Sequence, residues 1–395
     1  MEDLLFLAHR IPYPPDKGDK IRSWHMLRHL AENWRVHLGA FVDDPADWNH
    51  AAMLERVCAD VCLRPLHPPS GKLRSLIGLA MGQPLTLPYY QDRGMDRWVR
   101  ARLDSGIRAV VVYSSAMAQF VMEVEDTRRV MDFVDIDSDK WRQYAPTKPW
   151  PLSWLYAREA RLLLEWERRV ARAFDASLFV SAAEAQDFRR LAPESSGKVG
   201  FFNNGVDTDY FSPAHAFGRP FPADDRALVF TGAMDYWPNV DAVTWFARQV
   251  LPLLRRHLPG LRLYIVGSRP APAVRDLAGD GVEVTGRVPD VRPYLAHADA
   301  VVAPLRIARG IQNKVLEGMS MAKAVVATPQ ALEGIAARPG EEVLVAEDAG
   351  TQADMLLSLL REPARAMAMG EAARRRVTAD YTWGPNLDRL DALLK

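Results

Sequence analysis

The chain has 395 residues, 48% of them hydrophobic, with 50 basic and 50 acidic side chains and a formal net charge of zero. This length exceeds what one core usually covers, so two domains of ordinary size are expected. The balanced charge excludes a bulk electrostatic partner such as nucleic acid.

Leu4 to Ala8 is an apolar run that reads as a first buried strand. It is too short for a signal peptide or a bilayer span, so a soluble, cytoplasmic protein is expected. A loop, HRIPYPPDKGDK, leads into a helix from about Ile21 to Glu32. Lys17, Gly18 and Asp19 make a flexible, cationic turn at that helix start, suited to a phosphate or an acceptor hydroxyl, or else an ordinary surface turn. His37 to Val42 is the next strand. Cys58 and Cys62, four apart on an expected helix, read as small buried side chains, because a metal site would need further Cys or His nearby. Leu73 to Met81 is an apolar helix with Lys72 and Arg74 at its start; packing on the domain is favoured over lying on a membrane.

Arg108 to Tyr113 (RAVVVY) is a clear buried strand with Ser114 and Ser115 at its C-terminal end, and Arg129 to Val134 is another. Asp132, Asp135, Asp137 and Asp139 crowd that second strand end. Carboxylates there would orient a sugar hydroxyl or simply cap and solvate a loop; the spacing lacks the glycine and distant glutamate of a calcium loop, and no metal is expected. Trp154 to Phe174 is a long helix packed on one side, its charges read as a solvated face. Ala176 to Val180 is a strand, Ser181 with Glu184 opens a helix as a capping box, and Val199 to Phe202 is a short strand before the turn at Asn204-Gly205.

The Pro-rich stretch 208–226 has no periodic pattern and reads as a linker, placing one domain over 1–207 and a second over 227–378. The second domain repeats the strand-loop-helix order: strands Ala227 to Thr231, Leu261 to Val266 and Val282 to Thr285, with helices between them. Val301 to Ala303 and Ala324 to Ala327 are further buried strands, joined by a helix over Gln312 to Ala322. Ile311, Val315 and Met319 repeat toward the core, while Gly310, Asn313, Lys314 and Glu317 fall on another, polar face at a strand's C-terminal end. Open α/β sheets bind ligands in that position, and Gly310 allows main-chain N–H groups close to a phosphate; a solvated crossover helix has the same pattern. A terminal helix over 379–395 is expected to pack back toward the first domain. Two successive β/α series without hairpin signals predict an α/β protein of two doubly wound, Rossmann-like domains.

NGVD, TGAMDYWPN, GRVPDV, ADAVVAPL and NKVLEGMSMAKAVVAT, in that order, resemble the retaining group 1 (family 4) glycosyltransferases of the GT-B fold. RIPYPPDKGDKIRSWHML and MDFVDIDSDKW resemble a narrower subgroup found with bacterial exopolysaccharide and PEP-CTERM/exosortase systems. The resemblance implies two facing domains with a cleft, an N-terminal acceptor domain and a C-terminal donor domain. It implies transfer of a sugar, with retention, from a nucleotide diphosphate sugar to a glycan or lipid-linked glycan, with no cofactor or metal. Glu317 would accept the ribose hydroxyls, Gly310-Ile311 and Lys314 would meet the pyrophosphate, Arg287-Val288 would border the base, and Gly232 and Asn313 would complete the nucleotide side. Lys17 and Gly18 would complete the phosphate environment on domain closure, and Asp19, Ser114, Ser115, Asp135 and Asp137 would lie on the acceptor side. A peripheral membrane contact is left open.

Three departures stand out. Arg309 occupies the place of the first of two glutamates eight apart, GAMDYWPN lacks a basic residue, and Tyr113-Ser114-Ser115 stands where many relatives carry a histidine. Arg306, Arg309 and Lys314 would together supply the cationic function from the next loop. No general base is identified. The competing readings are a nucleotide-sugar epimerase of the same shape and a non-catalytic scaffold; a dehydrogenase is disfavoured because no strand continues as G-x-G-x-x-G.

Overall fold

The structure is a computed structural model that describes residues 1–15, 17–66, 68–308 and 310–395, with the backbone alone for 68–70 and 72. It divides into two compact units, Met1–Asn203 with Gly384–Lys395, and Asn204–Trp383.

In the first unit, β1 (Asp3–Ala8), β2 (Arg35–Val42), β3 (Asp60–Pro65), β4 (Ala109–Tyr113), β5 (Arg128–Val134), β6 (Ala176–Phe179) and β7 (Val199–Phe201) form one seven-stranded sheet in the order β3-β2-β1-β4-β5-β6-β7. Every pairing is parallel. The central strands are continuous apolar runs because helices cover both faces; Leu4 to Ala8 and Val110 to Val112 have no solvent exposure. The helices are α1 (Gly18–Asn33), α2 (Ala51–Val57), α3 (Pro68–Ala80), α4 (Thr86–Tyr89), α5 (Arg93–Asp104), α6 (Asp137–Tyr144), α7 (Leu152–Ala173) and α8 (Ala182–Leu191). The chain runs β1 to β3 in one direction and then restarts at β4 on the other side of β1, so the order reverses between β1 and β4. Such a reversal opens a crevice at the strands' C-terminal ends.

The second unit repeats this plan with six parallel strands: β8 (Arg226–Thr231), β9 (Leu261–Val266), β10 (Val282–Gly286), β11 (Ala300–Ala303), β12 (Val325–Ala327) and β13 (Leu344–Val345). Their order is β10-β9-β8-β11-β12-β13, with the reversal between β8 and β11. Its helices are α9 (Trp237–Trp245), α10 (Leu251–Arg255), α11 (Pro272–Arg275), α12 (Arg292–His297), α13 (Asn313–Ser320), α14 (Pro329–Leu332), α15 (Ala349–Arg361) and α16 (Pro363–Asp380). A π-helical turn, Phe246–Val250, joins α9 to α10. The last helix, α17 (Trp383–Leu394), lies almost wholly in the first unit, where His29 of α1 meets Asp391 at 3.0 Å.

The structure corrects four sequence-based expectations. The stretch 208–226 belongs to the second unit, where Phe221 is buried against Tyr264 at 4.4 Å between ring centres. Cys58 caps α2 and Cys62 lies in β3, so the two do not share a helix. The charges of α7 are not all solvated: Glu159 and Glu167 are fully buried. Each caps another helix. Glu159 accepts the N–H groups of Leu85 (2.6 Å) and Thr86 (3.1 Å) at the start of α4, and Glu167 accepts the N–H (3.1 Å) and hydroxyl (2.5 Å) of Ser138 in the first turn of α6. Last, Leu73, Leu76 and Ile77 of α3 face solvent instead of packing on the domain.

Candidate functional site

Three neighbouring strands of the second unit end on glycines in the left-handed half of backbone space: Gly232 after β8, Gly267 after β9 and Gly286 in β10, the last with φ +68°. The first two abut. A Cβ on Gly267 would fall 1.6 Å from the Gly232 carbonyl oxygen, and one on Gly232 would fall 2.7 Å from Asn239 Nδ2 and 3.5 Å from Lys314 Cε. No side chain fits there, so bare main chain lines the C-terminal edge of the sheet. Gly310 also has positive φ, +62°, where the chain turns from β11 into α13, and its carbonyl accepts from Gln312 Nε2 at 3.1 Å.

Helix α13 begins at Asn313, so Lys314 and Glu317 lie three apart on one face, one turn from its N-terminus. Both keep a little accessible surface while being closely surrounded by protein. Lys314 Nζ lies 5.4 Å from the centre of the Phe230 ring, and no described residue pairs with it at salt-bridge distance. Desolvation lowers its pKa to about 8, against the attraction of Glu317. Desolvation raises the Glu317 carboxyl to about 7, opposed by Lys314 and by the nearby Thr231 hydroxyl. Thr231 Oγ1 makes no hydrogen bond of ordinary geometry, so this last influence is weak. Asn313 Oδ1 and Asn239 Oδ1 are likewise buried without a partner. Close by, Arg292 stacks at 3.7 Å on Tyr210, whose hydroxyl lies within electrostatic reach of Glu317, and grips Asp290 with a 2.7 Å ion pair.

Of the other residues expected on the nucleotide side, Ile311 is buried in the core, while Arg287 is exposed and Val288 half-buried just beyond Gly286. Arg306 does not lend its charge to the α13 start, because Asp241 binds it through both carboxylate oxygens at 2.5 and 3.0 Å. Arg309 lies outside the described residues.

In the first unit the strand-order reversal carries a different arrangement. His9 and Arg10 follow β1 directly. Arg10 binds Asp19 at 2.5 Å and Asp43 at 2.9 Å, and His9 Nε2 lies 3.5 Å from Asp19. Burial pushes the Asp19 carboxyl up, but the hydrogen bond and charge of His9 and the charge of Arg10 hold it well below the usual carboxylate range. The His9 ring stacks on Tyr113 at 5.7 Å, and the Tyr113 hydroxyl donates to the Asp19 carbonyl at 2.8 Å. Ser114 follows with φ +78°, and Ser115 is buried, its hydroxyl without a partner. Lys17 precedes α1 in extended conformation; Gly18 is exposed and open, so its backbone does not require glycine.

The acidic cluster after β5 separates into two parts. Asp132 has no solvent exposure and binds Arg22 at 2.8 and 3.3 Å. Burial pushes its carboxyl up, and Arg22 draws it partly back. Asp132 is therefore a framework residue; its Oδ1 accepts from Val134 N–H at 3.0 Å and fixes that residue at φ +70°. Asp135 and Asp137 are half-exposed, and Lys140 bridges them at 2.9 and 3.2 Å. The sequence reading missed His9, Arg10, Thr231 and Lys140. The available signal was position: His9 and Thr231 stand at the ends of the first strand of each β/α series.

Residues 225–362, within the second unit, match a family model described as Glycosyl transferases group 1. GDP-mannose-dependent alpha-(1-6)-phosphatidylinositol monomannoside mannosyltransferase of Mycobacterium tuberculosis is 28% identical over 267 residues. That match spans 61% of this chain and 66% of the relative, just under two thirds of its length. Among solved structures, sucrose-phosphate synthase of Thermosynechococcus elongatus superposes over 100% of this chain and 98% of its own with a TM-score of 0.73 and 18% identity. WaaG, a glycosyltransferase involved in lipopolysaccharide biosynthesis, does so over 99% of each chain with a TM-score of 0.68 and 16% identity. Anabaena HepE in complex with UDP-glucose covers 99% of each chain with a TM-score of 0.66 and 13% identity. These are likenesses of fold, and they place the chain among two-unit α/β proteins of the GT-B kind.

Proposed function

We propose that the chain transfers a sugar from a nucleotide diphosphate sugar to a hydroxyl of a glycan or lipid-linked glycan, with retention at the anomeric carbon. The observation that carries this reading is the Lys314–Glu317 pair on α13, half-buried and largely desolvated beside glycine-lined strand ends without a full set of partners. Lys314 and the main chain at Gly310-Ile311 meet the diphosphate, and Glu317 accepts the ribose hydroxyls. Gly232 and Asn313 border the same ligand, with Arg287 and Val288 at the base. A carboxylate suits a vicinal diol, and a charge-assisted hydrogen bond to phosphate is worth about 1.5–3 kcal/mol.

In the reaction, the bond from the anomeric carbon to the diphosphate oxygen breaks and a bond to the acceptor oxygen forms on the same face. The acceptor's proton passes to the departing diphosphate. The protein's part is to stabilise leaving-group charge and to position the reactants. Asp19, Ser114, Ser115, Asp135 and Asp137, around the strand ends of the first unit, are assigned to the acceptor. The reaction draws on no metal.

The test is a thermal-shift panel of UDP, GDP, ADP and dTDP, followed by incubation of the stabilising nucleotide's sugar donors with and without acceptor glycans. One nucleotide at a hundredfold excess over its dissociation constant should stabilise the chain by about 2.7 kcal/mol. Stabilisation by none of the four would overturn the proposal, and conversion of donor to an isomer without acceptor would replace transfer by epimerisation.

A further inference from the structure

Helix α3 is built inside out. Gly71, Ser75 and Gly78 fall on one face and dock it against α4 so closely that a Cβ on Gly71 would lie 2.7 Å from the Tyr89 ring and one on Gly78 2.5 Å from Pro88. Ser75 Oγ seals this contact by donating to the Leu85 carbonyl at 2.8 Å. The large side chains are thereby turned outward: Leu73, Leu76, Ile77 and, just past the helix, Met81 repeat at helical spacing on the opposite face. Trp150 and Trp154, at the start of α7, are exposed as well. All six show between 56% and 83% of their surface to solvent. The two segments meet, because Arg158 of α7 donates to the carbonyls of Leu79 at 3.1 Å and Gln83 at 3.1 Å around the end of α3. An exposed apolar area of this breadth on one unit marks an interaction surface.

The charges around it indicate what covers it. Residues 61–91 and 140–158 contain no Asp or Glu and seven Lys or Arg, although the whole chain is balanced at 50 of each. At the chain's average density a stretch of that combined length would hold about six acidic residues. Arg64, Lys140 and Arg142 are tied to acids, namely Asp92, Asp135 and Asp139. Arg74 and Arg158 instead donate to main-chain carbonyls, Arg74 to Pro88 and Tyr89 at 3.1 Å each, so no carboxylate neutralises them. Lys148 is exposed. An apolar stripe with flanking tryptophans and uncompensated cations fits an anionic lipid surface, where side chains of these types settle at the headgroup boundary. A second copy fits poorly, since a two-fold pairing would set the same basic rims against each other.

We infer that the outward face of α3, with the start of α7, docks this chain on an anionic bilayer. The inference stands on the first unit alone and does not depend on the transferase reading. Among the described residues no helix is long and apolar enough to cross a membrane, so the contact is peripheral.

The experiment is flotation of the full chain, without nucleotide, with phosphatidylcholine vesicles that do or do not contain phosphatidylglycerol. Binding is expected only with phosphatidylglycerol, weakened at least threefold by 0.5 M salt as screening predicts. It should fall at least tenfold in Leu76→Glu/Ile77→Glu. Trp150→Ser/Trp154→Ser, at the start of α7, gives an independent second variant should the first lose its circular dichroism spectrum. The inference is overturned if the natural chain stays unbound, if it binds neutral vesicles equally, or if both variants float as it does. It is also overturned if the substitutions dissolve a concentration-dependent dimer and leave vesicle binding unchanged. None of these results depends on nucleotide binding, so the two proposals fail separately.

Discussion

The two units have the same plan and opposite electrostatics at their strand-order reversals. At the end of β1 the charges are paired, although His9 Nδ1, Asp43 Oδ1 and the Ser115 hydroxyl make no hydrogen bond: Asp19 holds Arg10, Arg10 also holds Asp43, and behind them Arg22 and Asp132 form a pair with no solvent exposure. At the end of β8, Lys314 and Glu317 are desolvated without being satisfied, and each is pushed toward its neutral form. Desolvation acts in both places, and the number of partners decides its result. A cluster of paired charges holds shape; an unpaired one retains interaction energy for a ligand.

The comparison is broken most strongly at the buried pair of the first unit. Asp132→Ala leaves the Arg22 guanidinium without a counter-charge in a dry site, and should cost about 3–5 kcal/mol in urea denaturation. Arg22→Met/Asp132→Leu should recover most of that, because the cost comes from the orphaned charge rather than from loss of the pair. A double variant as unstable as the single would mean that the contacts with Val134 and Phe202 matter more than the charges.

Lys314→Met is the counterpart in the second unit, with the readouts exchanged. Nucleotide affinity measured by calorimetry should fall by about 1.5–3 kcal/mol, the worth of a charge-assisted bond to phosphate. The melting temperature of the empty protein should not fall, since methionine ends the cost of desolvating an ammonium group near Phe230. A stability loss at unchanged affinity would make Lys314 a framework residue like Arg22.

Much of this was legible in the sequence, for a physical reason. Strands buried on two faces must be apolar throughout, so LLFLA, AVVVY and LRLYIV announce themselves, and β9 falls on the residues expected. The spacing of Asn313, Lys314 and Glu317 likewise fixes their shared face. What the pattern hides is partnership across the fold. Glu159 and Glu167 have the spacing of a solvated stripe, and only the third dimension shows that each meets the start of another helix. Asp132 looked like one more acid in a polar run because Arg22, its counter-charge, is 110 positions away. The outward face of α3 was hidden for the converse reason: apolar periodicity locates a stripe but not the side it faces.

A smaller effect sharpens the comparison through pH. The Lys314 pKa of about 8 means that the empty site loses its cation as pH rises past that value, whereas a bound diphosphate requires it. Binding above pH 8 must then take up a proton, so affinity should fall by up to about tenfold per pH unit until the lysine is also deprotonated in the complex. Calorimetry in buffers of different ionisation enthalpy would count that proton directly. The effect should vanish in Lys314→Met; a flat profile in the natural chain would refute the assignment of Lys314 to the phosphates.

The finest distinction lies between two glutamates with similar pKa values. Glu317 is raised to about 7 and Glu167 to about 8, both mainly by desolvation. For each, the folded state holds a proton that the unfolded state has released. Stability is therefore greatest below the unfolded value near 4.5 and declines as pH rises to about 7 and 8 respectively. A neutral glutamine should nevertheless act unequally at the two sites. At Glu317 it removes a charge that meets no strong donor, and the empty protein should gain on the order of 1 kcal/mol at pH 7 while losing nucleotide affinity. At Glu167 both carboxylate oxygens accept from Ser138, one from N–H and one from O–H. Glutamine keeps an oxygen for the Ser138 N–H, and its amide N–H can donate to the Ser138 hydroxyl oxygen, so the start of α6 keeps its cap and should change by less than about 1 kcal/mol. Melts of the two variants at pH 5 and pH 7.5 separate the cases: the gain from Glu317→Gln should shrink at the lower pH, where the natural side chain is already neutral, and a gain of equal size at both would assign it to packing rather than charge.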